Sequence, residues 1–181
     1  MVTKIKEKIV VKGDEDKEHL GLVHVLTGDG KGKTTASIGL AIRALGSNLR
    51  IYMIQFLKSV PTGEFHTIRK HLPGMEIIQF GVDAVKERQQ KLDAFRDKGG
   101  EFTFNPDEEE KEAAMLGFKH AKKVINSGNY DLIILDEITA VLDKGIIPIE
   151  DVLDLIENHG HVELVFTGRD APQEIIDAAD Y

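Results

Sequence analysis

The stretch 27-TGDGKGKTTA-36 decides how this chain is read. A phosphate-binding loop is spelled G-x-x-x-x-G-K-[ST]. Counting back from Gly32-Lys33-Thr34, the first glycine belongs at position 27, where this chain has Thr. Gly28, Gly30 and an extra lysine, Lys31, fill the loop instead. Backbone N–H groups of a glycine-rich turn converge on an anion, and the following helix adds its positive end. Lys33 is placed to reach phosphate oxygens, and Thr34 to offer a hydroxyl to Mg²⁺. This crowding of glycines and lysines between Gly28 and Thr34 predicts a polyanionic ligand.

The surroundings fit that motif. Leu22–Leu26 is a short apolar run that reads as a buried strand. After the loop, 33-KTTASIGLAIRALG-46 places Ile38, Ala41, Ile42 and Leu45 at helical spacing, and Gly46 is a natural stop. Further strands are predicted over 50–56, 75–80, 131–137 and 162–168. Helices are predicted over 62–72, 83–98, 105–128, 149–158 and 172–179. Asn105 and Pro106 suit the start of the third of these, and its early acids and later lysines match the helix dipole. Strands alternating with helices imply a three-layer α/β fold with a mostly parallel central sheet. One domain is expected over 20–181, preceded by a flexible charged arm over 1–19.

A nucleotide site needs an acid at the end of another strand. Asp136-Glu137 follows the apolar run Leu132–Leu135 and fits a Walker B element. Thr34, Asp136 and Glu137 are the candidate metal ligands, and Mg·ATP is the expected ligand. The reaction stays open at this point, because Glu137 could equally orient a water for hydrolysis. An ATPase, a small-molecule kinase and a non-catalytic ATP-dependent switch all remain. Phe102-Thr103-Phe104 directs two rings the same way if extended. They read either as core packing or as a loop presenting rings to a flat ligand.

Composition narrows the field. The chain has 181 residues, a net charge of −8 and no cysteine. Disulfides, thiolate metal sites and cysteine nucleophiles are excluded. An acidic domain is a poor nucleic-acid binder, and no apolar run approaches a membrane span. The expected location is the cytoplasm. His159-x-His161 is the only close histidine pair and lacks further ligands. No G-x-S-x-G elbow supports a serine hydrolase.

Taken in order, TGDGKGKTTA, Arg43-Ala44-Leu45-Gly46, Gln55-Phe56, Phe102-Thr103-Phe104, Leu135-Asp136-Glu137 and Thr167-Gly168-Arg169 resemble the CobA/CobO/BtuR-type ATP:corrinoid adenosyltransferases. The likeness runs from about Gly21 to Tyr181. It implies a RecA-like P-loop fold, commonly a homodimer. It also implies attack of cob(I)alamin on the 5′ carbon of ATP, with release of triphosphate, and ATP lying in the loop in the reverse of the usual sense. ATP contacts would fall on Gly28, Asp29, Gly30, Lys31, Gly32, Lys33, Thr34 and Thr35, with Arg43 assisting. Lys31 and Lys33 would carry catalytic charge, and Thr34 and Glu137 would hold Mg²⁺ with Asp136 nearby. Phe102 and Phe104 match the family's F-T-W segment, which helps displace the lower axial ligand of the corrinoid. Here its third residue is Phe. With no cysteine pair and no evident flavin motif, electrons would come from an external reductase such as a flavoprotein.

Overall fold

The computed structural model describes residues 20–83 and 106–181. The expectations for the arm 1–19, for most of the helix 83–98, for Asn105 and for Phe102-Thr103-Phe104 lie outside these residues. Five strands form one sheet: β1 (Val23–Leu26), β2 (Ile51–Phe56), β3 (Met75–Phe80), β4 (Leu132–Asp136) and β5 (Glu163–Thr167). Their order is β1-β5-β4-β2-β3, and every pairing is parallel. The mostly parallel sheet expected from the pattern is therefore wholly parallel among the described residues. Helices are α1 (Lys33–Gly46), α2 (Gly63–His71), α3 (Pro106–Ile125), α4 (Ile138–Asp143), α5 (Ile149–Glu157) and α6 (Gln173–Asp177).

The sequence dictates which face each helix covers. Successive strand side chains point to opposite faces. In β2, Ile51 and Met53 pack with Ala41 of α1 and Ile68 of α2. Tyr52, Ile54 and Phe56 pack on the other side, with Ala114 and Phe118 of α3 and with Val141 of α4. A strand buried on both faces reads as a nearly continuous apolar run, and β2 and β4 are buried at every position, with Gln55 and Asp136 as polar residues at their carboxyl ends. Gly117 lets α3 lie close to the sheet, since a Cβ there would come within 2.8 Å of the Phe56 ring.

The elements predicted within the described residues form, with ends moved by at most three residues. One helix, α4, was not anticipated. Its six residues ITAVLD are mostly buried, so they show no amphipathic stripe. Glu137 causes the break before it. Its φ of 67° turns the chain out of β4. Residues 180–181 run along the free edge of β1, with Val25 N–H donating to the Tyr181 carbonyl at 2.8 Å. That pairing blunts an otherwise open strand edge.

Candidate functional site

The register brings the carboxyl ends of four strands together. Leu26 pairs with Thr167, and Gln55 with Asp136. Strand order leaves β5 between the phosphate-binding loop after β1 and the acid at the end of β4. Ligands of open α/β sheets bind at this end.

The loop resolves its unusual spelling. Gly28 and Gly32 adopt φ of 115° and 113°, the left-handed region where glycine is favoured. Thr27 needs no such conformation. Its hydroxyl instead accepts the Ala171 N–H at 3.3 Å, which ties the loop to the segment before α6. Gly32 sits at the N-cap of α1, so the positive end of the 14-residue helix opens onto the loop. The Lys33 ammonium folds over the loop and donates to the carbonyls of Gly28 and Gly30, the latter at 2.7 Å.

Asp136 is the centre of the arrangement. It is fully buried and receives four side-chain donors. Thr34 Oγ1 and Thr167 Oγ1 donate to Oδ1 at 2.8 and 2.6 Å. Gln55 Nε2 and Lys58 Nζ donate to Oδ2 at 3.0 and 2.6 Å. Burying a carboxylate is tolerable only with this degree of pairing. The orientation of Gln55 is fixed in turn, because its Oε1 accepts Gln79 Nε2 at 3.0 Å.

Glu137 differs from its neighbour. Its backbone N–H donates to Thr167 Oγ1 at 3.0 Å, and its side chain is only half-buried. Among the described residues no hydrogen bond to its carboxylate is present. Thr167 thus accepts from one acid residue's backbone and donates to the other's side chain. Glu64, from the first turn of α2, completes the wall at 3.6 Å from Lys58 Nζ. Burial pushes the Glu64 carboxyl up, but donors around it, Gln55 and Lys58 among them, outweigh this and hold it below its ordinary range. A groove of about 370 Å³ opens beside Thr34 and Thr35, floored by Ile38 and Ile68 with Glu64 on its rim.

The structure therefore brings Gly28, Gly30, Gly32, Lys33, Thr34, Asp136 and Glu137 to one place. Asp29 and Lys31 lie exposed on the same loop, and Thr35 on the first turn of α1. Arg43 is not brought there. It is exposed in the last turn of α1, nine residues beyond Thr34, or about 14 Å along the axis. Phe102 and Phe104 lie outside the described residues. Lys58 and Glu64, which the sequence pattern did not single out, belong to the site, as do Gln55 and Thr167, which stood only in resembling stretches with no role. A signal for Lys58 exists, a lone cation just past the end of β2, but its meaning depends on the β2–β4 register.

The donor set suits Mg²⁺. A hydroxyl and carboxylates are hard oxygen donors, and Mg²⁺ takes one or two carboxylates and completes its shell with water and substrate phosphates. Among the described residues there is no cluster of three or more His, Asp or Glu that could hold a metal alone. No helix among them is long and apolar enough to cross a membrane.

The family model described as "ATP:corrinoid adenosyltransferase BtuR/CobO/CobP" matches residues 19–181. The chain is 29% identical over 179 residues to corrinoid adenosyltransferase CobA of Salmonella typhimurium, covering 98% of this chain and 82% of that protein. It is 27% identical over 181 residues to the corrinoid adenosyltransferase of Escherichia coli, with the same coverage. It is 30% identical over 180 residues to that of a Sinorhizobium species, covering 97% and 75%.

Proposed function

The chain belongs to the ATP:corrinoid adenosyltransferase family, and from that premise we propose how its residues carry out the transfer. The enzyme moves the adenosyl group of ATP to the cobalt of a corrinoid. The observation that carries the site assignment is the 2.8 Å bond from Thr34 to Asp136, which joins the phosphate-binding loop to the acid at the end of β4.

The Co(I) electron pair attacks the 5′ carbon as the C5′–O bond breaks, and the departing oxygen leaves with the triphosphate. Co(I) is a nucleophile that carries no proton, so no general base is required. What remains is positioning and stabilisation of the leaving charge. The loop Gly28–Thr35 wraps the triphosphate. Lys33 exchanges the Gly28 and Gly30 carbonyls for phosphate oxygens, and Lys31 adds charge from the exposed side. Thr34 and Glu137 are the residues that would hold Mg²⁺. Asp136 orients Thr34 through Oδ1, and its Oδ2, which Lys58 pairs, lies nearby as the third metal candidate. When bound, Mg²⁺ neutralises charge on the leaving triphosphate. Arg43 serves the nucleotide only if the ligand extends along α1, which the ATP affinity of Arg43→Ala decides. Phe102 and Phe104 are assigned to the axial face of the corrinoid. A homodimer, a cytoplasmic location and an external reductase complete the reading.

Incubation with ATP, Mg²⁺ and chemically reduced cob(I)alamin tests it. The expected products are a light-sensitive adenosylated corrinoid and triphosphate. ADP as the only nucleotide product would contradict it and favour an ATPase or kinase. Phe104→Ala should slow the reaction from cob(II)alamin more than from pre-reduced cob(I)alamin, and equal slowing would remove the axial role.

A further inference from the structure

Lys58 stands among the oxygens of the candidate nucleotide-metal site. Its ammonium lies 2.6 Å from Asp136 Oδ2, 3.5 Å from Thr34 Oγ1 and 3.6 Å from Glu64 Oε1. Three oxygen donors, two of them on carboxylates, face one cation. Two of those residues are the hydroxyl and the acid that mark the nucleotide-metal site. The lysine is not there by chance of a flexible surface chain. Its side chain is 22% exposed, against 0% for Asp136. The backbone aims it as well. Leu57, just before it, adopts φ of 57°, a conformation that costs a leucine about 1–2 kcal/mol and reverses the chain at the end of β2. On the far side Gly81 presses against it, where a Cβ would meet the Lys58 carbonyl carbon at 2.4 Å. A strained residue and an obligatory glycine thus hold one lysine in one place.

We propose that Lys58 is the resident counter-cation of these oxygens, and that loading of the divalent metal exchanges the ammonium for the ion. The inference rests on the Mg·ATP reading of the site and adds a residue to it. Two cations cannot share Asp136 Oδ2 and Thr34 Oγ1 at these distances without strong repulsion. Metal alone must therefore compete with Lys58. Metal arriving with triphosphate brings the anionic oxygens that accept the released ammonium. The pairing makes metal binding depend on nucleotide, and it keeps Asp136 neutralised throughout. Lys58 is then a positioning residue for the metal.

The experiment measures the affinity of Mn²⁺ alone, by its free-ion EPR signal, for the wild-type protein and for Lys58→Met. Mn²⁺ alone should bind Lys58→Met at least tenfold more tightly than wild type. Equal or weaker binding would overturn the proposal. Should Lys58→Met fail to fold, the wild-type protein still decides. With ¹⁵N-lysine labelling, the Lys58 ammonium resonance should shift on adding Mg·ATP, and an unmoved resonance under saturating Mg·ATP would overturn the exchange. Binding of Mg·ATP to wild type is measured alongside. Its absence would strike the nucleotide site itself, whereas normal Mg·ATP binding with unchanged Mn²⁺ affinity in Lys58→Met strikes only the role of Lys58.

Discussion

Two carboxylates at opposite ends of the sheet are held in contrasting ways. Asp136, at the carboxyl end of β4, takes all its donors from side chains: Thr34, Thr167, Gln55 and Lys58. Glu163, at the amino end of β5, accepts the backbone N–H groups of Gly21 and Leu22 at 3.1 and 3.0 Å and pairs with the His24 ring at 2.6 Å. Two of its three partners are main chain. Backbone donors stay where the fold puts them, so Glu163 fastens the entry to β1 onto β5. Side-chain donors can change partners by rotating about χ angles. The end of the sheet built from them is the one able to accept a ligand. Backbone strain leans the same way. Leu57, Glu137 and Asp170 carry positive φ after the carboxyl ends of strands, whereas at the amino end the one such non-glycine residue among those described is Asn48, a type that tolerates this region.

The largest expected effect breaks the exchangeable end outright. Lys33→Ala removes the charge that the loop carries inward. Turnover should fall on the order of a hundredfold or more. Thermal stability should change little, because the lysine's only partners among the described residues are two loop carbonyls on an exposed turn. A near-normal rate under saturating ATP would remove Lys33 from the loop's function.

Thr167→Val is the next test, and it acts through structure. The substitution keeps the shape and deletes the hydroxyl that joins Asp136 to the Glu137 backbone. A part-buried N–H is left without its acceptor and the buried Asp136 loses a donor. The cost should be about 1–3 kcal/mol. At roughly 2–4 °C per kcal/mol for a chain of this length, a thermal melt resolves it easily. An unchanged melting temperature would mean that the hydroxyl does not organise the acid pair.

The fold was legible where a single segment carried its own signal. The strand–loop–helix at 22–46 and the apolar run before Asp136 needed only local pattern. The site was half legible for the same reason. Gly28, Lys33, Thr34, Asp136 and Glu137 sit in recognisable spellings. Lys58 and Glu64 do not, and Thr167 stands in a resembling stretch that carries no role by itself, because these roles come from which strands are neighbours. Nothing in the residues around Lys58 says that β2 pairs with β4, or that Gln55 lies opposite Asp136. The helix α4 was missed because it is short and mostly buried, so period and length both gave no cue.

Glu163→Gln probes the fixed end, and its sign follows from linkage. Burial pushes the Glu163 carboxyl up, but bonds from His24 and from the Leu22 and Gly21 N–H groups outweigh this and hold it below its ordinary value of 4.5. A carboxyl lowered in the folded state contributes stability above its unfolded value and loses it as pH falls through the folded one. Wild type should therefore melt a few degrees above Glu163→Gln at neutral pH. The gap should close as pH drops below about 4.5. Adenosyl transfer near neutral pH should be unaffected. A gap that persisted into acid would mean that Glu163 packs as a neutral group.

Glu137→Gly carries the smallest energy and the sharpest distinction between the two ends. At φ 67° a residue with a Cβ is strained by about 1–2 kcal/mol, and glycine relieves this. Glycine also makes the unfolded chain more flexible, which returns about 0.4–1 kcal/mol. The net should be a gain of roughly half a kcal/mol, or about 1–2 °C in melting temperature. Metal-dependent turnover should meanwhile collapse with loss of the carboxylate. Glu137→Ala separates the two causes, since it removes the carboxylate but keeps the Cβ and hence the strain. It should lose the same activity without gaining stability. If Glu137→Gly instead destabilises the protein more than Glu137→Ala, the left-handed turn after β4 is not strained. The carboxyl end of the sheet would then differ from the amino end only in its donors, and not in energy held back by the backbone.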